Sequence, residues 1–571
     1  MRRTNRALHA FIGTVFFLST ASIGACHLVL GIEEGTSCSG TRACGEGGQG
    51  GETSNGGSAG FGKDASDERD LELYLDATMG PRKDFPDTPI VAPSLPPDVP
   101  SLFGPDISGG AGPCLVEPPI DAMFPSNWTP PLFEWKASPG HNVFELRLRV
   151  DNQVNDLVVY TDQSSYMMPP EMWTALALSS AGHDIEVTVR SAEFSGATLV
   201  NGPFVGTIGT LHIALVPAPG SVVYWTTSGG SALKGFTIGA SDVTTVITPG
   251  AMNDGTTCVG CHTSSPDGQL AFFSLRASEL PFWVGGRRVD GTSGVPSSMV
   301  VSAHAAALLA RTNQTLPTFS KAHYSANDAI VLTSLADAST GDRFEIAWTD
   351  LHSQSGGTGF LARVGDSRQA GTPAFSHDGT IVAYTSSDDL KDGRPKSAPT
   401  DVYIVPYNNK QGGQAKPLAG ASDPSMHEYY PVFSPNDTFV AFNRAPDGLN
   451  AYNQPLAEIY VVPSNGGEPT RLAGNDPSSC SGVTSPGITN SWARWAPESI
   501  DVGDRRYYWL VFSSTRRGPL PQLFISAVVT SIASGVESIV KTYPAVYVTS
   551  QPAGEANHTP AWDVFQIQPP K

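Results

Sequence analysis

Charged residues are scarce in this chain of 571 residues, where Asp, Glu, Lys and Arg together make up 16%. Basic residues are the scarcer kind: 35 Lys and Arg stand against 54 Asp and Glu, for a net charge of −19 at pH 7. Because nothing supplies a basic face to neutralise phosphates, the composition excludes a nucleic-acid partner. Glycine and proline are abundant, at 59 and 47 residues, which favours short strands joined by turns over helical bundles. The length predicts two or three domains.

The N-terminal apolar run is short as well. FIGTVFFL follows three arginines and is too short to span a bilayer as a mature helix. The next residues, SIGAC, end at Cys26 and resemble a bacterial lipobox. The resemblance implies a lipoprotein signal peptide at residues 1–25 and acyl chains on Cys26 that anchor the protein to a membrane. His27 is not the Asp associated with inner-membrane retention, so we expect the outer membrane of the cell envelope, facing the periplasm or the exterior. An ordinary secretory signal is the alternative.

Cysteine is also rare, with seven residues, and its usage agrees with an oxidising compartment. Cys38 and Cys44 lie close together and can close a small loop. Cys114 and Cys480 lie far apart and could pair to join two domains. The sequence alone leaves both pairings open.

Residues 26–100 lack the pattern of a hydrophobic core. GTRACGEGGQGGETSNGGSAGFG and, further on, FPDTPIVAPSLPPDVP predict a disordered Gly/Ser/Pro-rich tether. Residues 101–217 instead contain short runs that alternate apolar and polar residues between Pro, Gly, Asn and Asp. FEWKASPGHNVFELRLRV resembles the early strands of a fibronectin type III or immunoglobulin-like domain, with Trp135 as a core tryptophan. We therefore predict a β-sandwich over residues 101–217.

Residues 218–571 repeat one pattern. HYSANDAIVLTS, PAFSHDGTIVAYTSSDD and PVFSPNDTFVAFNR each predict a strand, a tight turn and a second apolar strand. ARWAPESIDVGDRRYYWLVFSSTR is the same unit with a larger turn, and further strands such as DVYIVPYN or EIYVVPSN follow. This unit resembles the four-stranded blade of the TolB-type, WD-repeat-like β-propeller family, and the resemblance covers most of residues 218–571. It implies that the first strand of each blade lines a central channel.

The repeats count to six. Units begin near residues 261, 321, 372, 430 and 492, which makes five. HTPAWDVF near the C-terminus supplies a first strand with nothing after it, and residues 222–250 supply three strands without a first strand. We therefore predict an all-β protein in which the sandwich is followed by a six-bladed propeller closed by the C-terminal strand. An open or seven-bladed ring is the alternative.

Two cysteines and a histidine form the most specific motif. Cys258, Cys261 and His262 have the C-x-x-C-H spacing of covalent c-type haem attachment, in which two thiols bind the haem and the imidazole coordinates its iron. Aligning the SPDG turn that follows with the SHDG turn of the third unit puts Cys261 level with Thr372. We therefore expect the motif at one mouth of the channel, with haem c as cofactor. No helical cytochrome domain follows the motif, so a disulfide within C-x-x-C and part of a zinc site stay open as alternatives.

A second iron ligand would have to come from another blade. PSMHEYYPVF places Met426 and His427 just ahead of an inner strand, and EANHTPAW places His558 one residue before the position that matches Cys261. The order of preference is His427, then Met426, then His558. For each, an ordinary loop or channel-lining side chain is the alternative.

Signatures of other activities are missing. The chain has no G-x-S-x-G nucleophile elbow, no phosphate loop, no dinucleotide fingerprint and no identifiable acid–base pair, so it does not predict an enzyme. The first hypothesis is a membrane-anchored extracytoplasmic propeller with a covalent c-type haem, used for electron transfer or redox sensing. The alternative is a haem-free TolB-like scaffold that binds a protein or cell-envelope partner at the channel face, with the C-x-x-C as a disulfide.

Overall fold

The computed structural model describes residues 84–567, apart from 108, 253–254, 278–280, 290–293, 326–327, 398 and 447–449. The predicted signal peptide, Cys26, Cys38, Cys44 and the tether as far as residue 83 lie outside the described residues. Within them the chain is nearly all β-structure, as its composition predicts.

The N-terminal part contains two sheets and two helices. Its six-stranded sheet has the order β1-β6-β5-β8-β9-β3, and its three-stranded sheet has the order β2-β4-β7. The strands are β1 (Ile90–Val91), β2 (Cys114–Glu117), β3 (Met123–Phe124), β4 (Leu132–Lys136), β5 (Val143–Val150), β6 (Leu157–Thr161), β7 (Ser165–Met167), β8 (Asp184–Ser195) and β9 (Thr198–Ile213). The helices are α1 (Val99–Leu102) and α2 (Pro170–Ser179).

Both sheets contribute to one hydrophobic core. Trp135 of β4 is 2% exposed and its ring centroid lies 5.6 Å from that of Phe144 of β5, so it is the core tryptophan that the sequence predicts. Helix α2 was not predicted; it buries Trp173, whose indole Nε1 donates to the Trp128 carbonyl at 2.7 Å.

The folded part begins before the predicted boundary at residue 101. Ile90 and Val91 pair in parallel with β6, and Phe85 and Val99 are buried. The backbone N–H of Val154 donates to the Asp84 carboxylate at 2.9 Å. The end of the Pro-rich stretch is therefore ordered by its apolar residues and one β-bridge, and only residues before 84 can still be the predicted tether.

The C-terminal part contains six larger sheets, together with the two-stranded sheets β20-β26 and β23-β24. The orders of the larger sheets are β12-β11-β10-β38, β13-β14-β15, β16-β17-β18-β19, β21-β22-β25-β27, β28-β29-β30-β31 and β32-β34-β35-β36. The strands are β10 (Ser221–Thr226), β11 (Ala232–Thr237), β12 (Thr244–Ile247), β13 (Cys258–Ser264), β14 (Leu270–Arg276), β15 (Trp283–Arg288), β16 (Gln314–Phe319), β17 (Ile330–Leu335), β18 (Glu345–Asp350), β19 (Thr358–Phe360), β20 (Ala362–Val364), β21 (Gln369–Phe375), β22 (Ile381–Ser387), β23 (Leu390–Lys391), β24 (Arg394–Pro395), β25 (Thr400–Pro406), β26 (Gly412–Gln414), β27 (Lys416–Pro417), β28 (Met426–Phe433), β29 (Phe439–Pro446), β30 (Glu458–Pro463), β31 (Thr470–Arg471), β32 (Ser491–Trp495), β33 (Ile500–Val502), β34 (Arg505–Ser514), β35 (Gln522–Ala533), β36 (Val536–Thr542), β37 (Val546–Tyr547) and β38 (Asn557–Asp563). Short helices α3 (Ala303–Leu309) and α4 (Lys321–Ser325) lie between strands.

One edge strand of each larger sheet faces a common centre. These six inner strands contact one another in the cyclic order β38, β13, β16, β21, β28, β32 and back to β38. Strand β38 pairs antiparallel with β10, from Asp563 opposite Ser221 to Asn557 opposite Thr226. This is the pairing that the sequence predicts between the C-terminal strand and residues 222–250.

The second repeat unit differs from its prediction. The sequence alignment starts this unit near residue 321, whereas the inner strand β16 ends at Phe319 and helix α4 occupies the turn. His323 lies in that helix, where its ring contacts the Asp328 carboxylate at 2.8 Å and the Gly379 carbonyl at 3.0 Å. The letters SAND, at residues 325–328, resemble the turns of the other units, but helix α4 ends at the first of these residues. The sequence alignment therefore placed the start of this unit five residues too late.

A disulfide joins the two parts of the chain. Cys114 of β2 is bonded to Cys480, which precedes β32, and this is one of the two pairings that the sequence left open. Among the described residues, no helix is long and apolar enough to cross a membrane.

Candidate functional site: the central cavity

Six residues at equivalent positions line one central cavity. Each lies four residues before the residue that opens the turn after its inner strand, so Cys261 precedes Ser265 and Thr372 precedes Ser376. We call them the ring positions: Cys261, Leu316, Thr372, Tyr430, Trp492 and Thr559. Cys261 is thus level with Thr372 and faces the channel, where the sequence alignment places it.

A bulge turns each inner strand at this point. The pairing of every inner strand with its neighbour shifts register beside its ring position. Five of the six ring residues have positive φ, Cys261 being the exception, and proline follows four of them. A bulge re-aims side chains and interrupts the ladder, and proline needs no ladder partner. The repeated bulge therefore directs six side chains toward one cavity.

The cavity is small, and its lining is apolar and polar in nearly equal parts. Its volume is about 180 Å³, close to the roughly 150 Å³ of a cavity that holds benzene and below the roughly 300–1,000 Å³ of drug-sized ligand sites. Tyr430 and Trp492 stack at 3.8 Å between ring centroids and form part of its floor. The charged or titratable side chains along its walls and mouth, beside the motif residues, are Arg494, Lys321, His377, Glu498 and Asp563.

His262 also lines the cavity, but its imidazole is engaged between two sheets. Its Nε2–H donates to the Val223 carbonyl at 3.0 Å, where a bulge interrupts the pairing of β10 with β38. The side chain is buried, and this burial lowers the pKa of His262 to about 4. The ring is therefore neutral at pH 7, with its proton on Nε2.

The two cysteines of the motif are not bonded to each other. Cys261 is a free buried thiol, whereas Cys258 is disulfide-bonded. Both lie in the extended strand β13, where three residues span roughly 10 Å, beyond the roughly 7 Å that a disulfide can bridge between Cα atoms. The alternative of a disulfide within C-x-x-C is therefore wrong. Burial raises the pKa of the Cys261 thiol, so it stays protonated at pH 7.

The motif residues, as the strand holds them, do not fit a haem. The Sγ of Cys258 is engaged in a disulfide, the Nε2 of His262 is engaged with a carbonyl, and the cavity is smaller than a cofactor site. Within the described residues, no group of three or more His, Cys, Asp or Glu side chains could hold a metal ion.

The three candidates for a second iron ligand do not line the cavity that His262 lines. His427 is buried, with Nδ1 3.5 Å from the Thr400 hydroxyl. His558 stacks on Trp225 at 4.6 Å, its Nδ1 lies within hydrogen-bond distance of the Tyr452 hydroxyl at 3.1 Å, and burial lowers its pKa to about 3. Met426 begins β28 and pairs with Pro446 of β29, four residues before the ring position Tyr430. The structure therefore does not bring these side chains together with His262.

Two arginines beside Cys261 were missed by sequence reasoning. Arg494 lies two residues after its ring position, where the other inner strands carry Thr, Ala or Val, so a lone charge in the repeat was the available signal. Arg394 comes from the inserted hairpin of β23 and β24, which no local pattern relates to the cavity. The guanidinium of Arg394 lies over the ring of Tyr452, 5.1 Å from its centroid, and its Nη1 is buried with no hydrogen-bond partner.

Six antiparallel sheets that succeed one another around a channel have the arrangement of a β-propeller. No family model matches the chain, and no curated protein matches it. The similar solved structures include TolB from Acinetobacter baumannii, at 13% identity over 67% of this chain and 79% of that one, with a TM-score of 0.36. They also include a putative TolB from Agrobacterium tumefaciens, at 12% identity over 60% of this chain and 97% of that one, with a TM-score of 0.30. Likenesses at this level carry no argument about function, and the strand topology defines the fold.

Proposed function

We propose that the chain is a haem-free, TolB-like binding scaffold of the cell envelope that receives a protein or cell-envelope partner at the channel face. One observation carries the proposal: six equivalent positions on six inner strands converge on a single cavity with charged groups at its mouth. Concave sites with apolar walls and a few placed polar groups are the usual form of binding sites.

The proposal also specifies the number of blades and the fold of the N-terminal part. In it, the six sheets are six blades of a closed propeller, with β38 as the inner strand of the first blade, and the two N-terminal sheets form the sandwich. The cyclic contacts of the inner strands and the shared core around Trp135 support this architecture. An experimental structure of the purified protein tests it directly, and an open ring or a different number of sheets would overturn it.

The membrane anchor is part of the proposal too. Cys26 would carry acyl chains after removal of residues 1–25, and the protein would lie at the outer membrane. Metabolic labelling with a fatty acid should label the wild type and not the Cys26→Ala variant. Label that persists without Cys26, or no label at all, would refute the anchor.

Photo-crosslinking in the host cell tests binding at the channel face. A crosslinking residue at Lys321, at the cavity mouth, should give a discrete adduct with a partner. The matched control is Val540, which is half exposed on the outer strand β36. Equal adducts at both positions, or none at Lys321, would contradict a partner at the channel.

The haem-free part of the proposal has its own test, because Cys261 and His262 keep the spacing of a haem attachment motif. The chain is expressed with a cytochrome c maturation system, and haem is sought by staining a denaturing gel. We expect no stain for the wild type or for Cys261→Ala. Stain in the wild type that Cys261→Ala removes would replace the haem-free proposal with the haem-carrying one.

A further inference from the structure

Arg494 brings a positive charge into the cavity, and among the described residues no carboxylate forms an ion pair with it. Its one hydrogen bond runs from Nη1 to the carbonyl of the adjacent Ala493, at 3.0 Å. The groups that interact electrostatically with Arg494 include no Asp or Glu among the described residues. The side chain is partly buried and lines the cavity wall.

The neighbours of Arg494 do not neutralise it. The groups that act on it electrostatically are Cys261 and Tyr430, and burial raises the pKa of both, so both are neutral at pH 7. Arg394, which also interacts electrostatically with Cys261, is a second cation, and its own partner Asp392 lies 3.4 Å away. The buried hydroxyl of Tyr430 and the Nη1 of Arg394 both have no partner. Arg494 is therefore an unpaired cation in the cavity lining, where the hydroxyl of Tyr430 is also unpartnered.

An unpaired arginine in such a place is costly. A guanidinium does not lose its proton in proteins, so burial cannot be relieved by neutralisation. Buried charges in proteins are paired with an opposite charge or bound to one. A planar guanidinium matches a carboxylate best, through two parallel hydrogen bonds.

The other residues of the cavity lining determine which group can carry the carboxylate. Leu316, Pro373, Pro431 and Trp492 contribute apolar and aromatic surface to the cavity that Arg494 lines. The volume of about 180 Å³ admits a group of about the size of a benzene ring. A highly charged anion such as phosphate would meet a single unpaired guanidinium, which can balance only part of its charge.

We propose that the cavity floor is a subsite for a monocarboxylate carried on a small apolar or aromatic group, held by the guanidinium of Arg494. The inference rests on the proposed function, since it specifies what the channel face recognises. The carboxylate can belong to a free organic acid or to the C-terminus of a peptide partner.

Calorimetric titration of the purified full chain with benzoate tests the subsite, with benzamide as the neutral probe of equal shape. We expect saturable binding of benzoate and none of benzamide. Arg494→Gln should weaken benzoate binding by at least about tenfold, which corresponds to about 1.4 kcal/mol. Arg494→Lys should keep part of it, because the charge remains. The control Arg506→Gln removes an arginine that is paired with Asp501 and Glu537 away from the cavity, and it should bind like the wild type.

Two further comparisons keep the result decisive. If Arg494→Gln does not fold, the wild type alone decides, because benzoate should raise its melting temperature and benzamide should not. Peptides that end in Phe or Leu with a free carboxylate, compared with their amides, separate a peptide partner from a free acid. Equal binding of benzoate and benzamide, or no binding of either, overturns the subsite. If the Lys321 crosslink still forms, the scaffold proposal survives that result.

Discussion

At the scale of single residues, burial changes the ionisation of several side chains and so makes stability depend on pH. His262 and His558 are held neutral between sheets, whereas Glu117 is buried where the N-terminal part meets the last sheet. The histidines and the glutamate act in opposite directions, because each favours its neutral form. The titration of the histidines and that of Glu117 both change the free energy of unfolding at or below pH 7. Substituting one residue at a time separates the two contributions.

Acid should destabilise the protein through His262. The folded-state pKa of about 4 lies below the ordinary 6.5, so the stabilisation from neutral His262 is complete above pH 6.5 and is lost as pH falls toward 4. The full contribution is at most about 3 kcal/mol. His262→Gln keeps a donor for the Val223 carbonyl but does not titrate, so its free energy of unfolding should fall less steeply over this window. Denaturant unfolding at several pH values measures this, and exposed His352→Gln is the control. An unchanged slope in His262→Gln would contradict the assignment.

Glu117 should act with the opposite sign. Its carboxylate accepts the Tyr547 N–H at 2.7 Å, and burial raises its pKa to about 7 despite nearby Arg516 and Arg517. The protonated form is therefore favoured in the folded state, and this contribution is lost as pH rises from 4.5 through 7, by at most about 3 kcal/mol.

Glu117→Gln, which stays neutral, should flatten the loss of unfolding free energy between pH 4.5 and 7. The exposed Glu171→Gln is its control. A Glu117→Gln profile that parallels the wild type would show that this carboxyl does not titrate in the window.

At the scale of elements, the repeated bulge is the feature that local sequence could not supply. The strand–turn–strand units and the turn after Cys261 were predictable, because alternation and Ser-Pro-Asp-Gly chemistry are local. The bulge depends on how each inner strand pairs with its neighbour, so neither the position of Arg494 in the wall nor the engagement of His262 could be read from the motif. The start of the second unit was predicted wrongly for the same reason. The residues that follow helix α4 resemble the turns of the other units, and local sequence does not show that the helix is inserted.

Thr559 offers a test of the bulge. It is a β-branched residue at φ 43°, and its buried hydroxyl oxygen has no hydrogen-bond partner. Thr559→Gly should therefore leave the protein at least as stable as the wild type, because relief of about 1 kcal/mol offsets the lost methyl contacts. Ala561→Gly, in the same strand and without positive φ, should lower the unfolding free energy by about 1 kcal/mol. Equal losses in the two variants would argue against the bulge.

At the scale of the whole molecule, the last strand completes the first sheet of the six. Ala561, Trp562 and Phe565 are buried, and the Trp562 indole donates to the Pro219 carbonyl at 2.8 Å. The backbone N–H of Gln566 then donates to the Gly268 carbonyl in the turn after β13, so this segment contacts two sheets.

A chain that stops after Glu555 should lose cooperative unfolding of the C-terminal part. It exposes the edge of β10 and removes three buried aromatic or apolar side chains. Chemical denaturation followed by tryptophan fluorescence measures the effect. A synthetic peptide of residues 556–567, added in trans, should restore part of the transition, whereas a scrambled peptide should not. A truncated chain with the wild-type midpoint would mean that β38 is dispensable.

The pairing of β38 with β10 has a consequence for biosynthesis. The sheet of β10, β11 and β12 lacks its fourth strand, β38, until about 330 further residues have been translated. The order of synthesis and the order of folding therefore differ. Until then β10 offers an uncovered edge to chaperones and to other nascent chains. Ribosome-stalled products of graded length should therefore remain protease-sensitive at residues 221–247 until residues 557–563 emerge, and then become resistant in a single step.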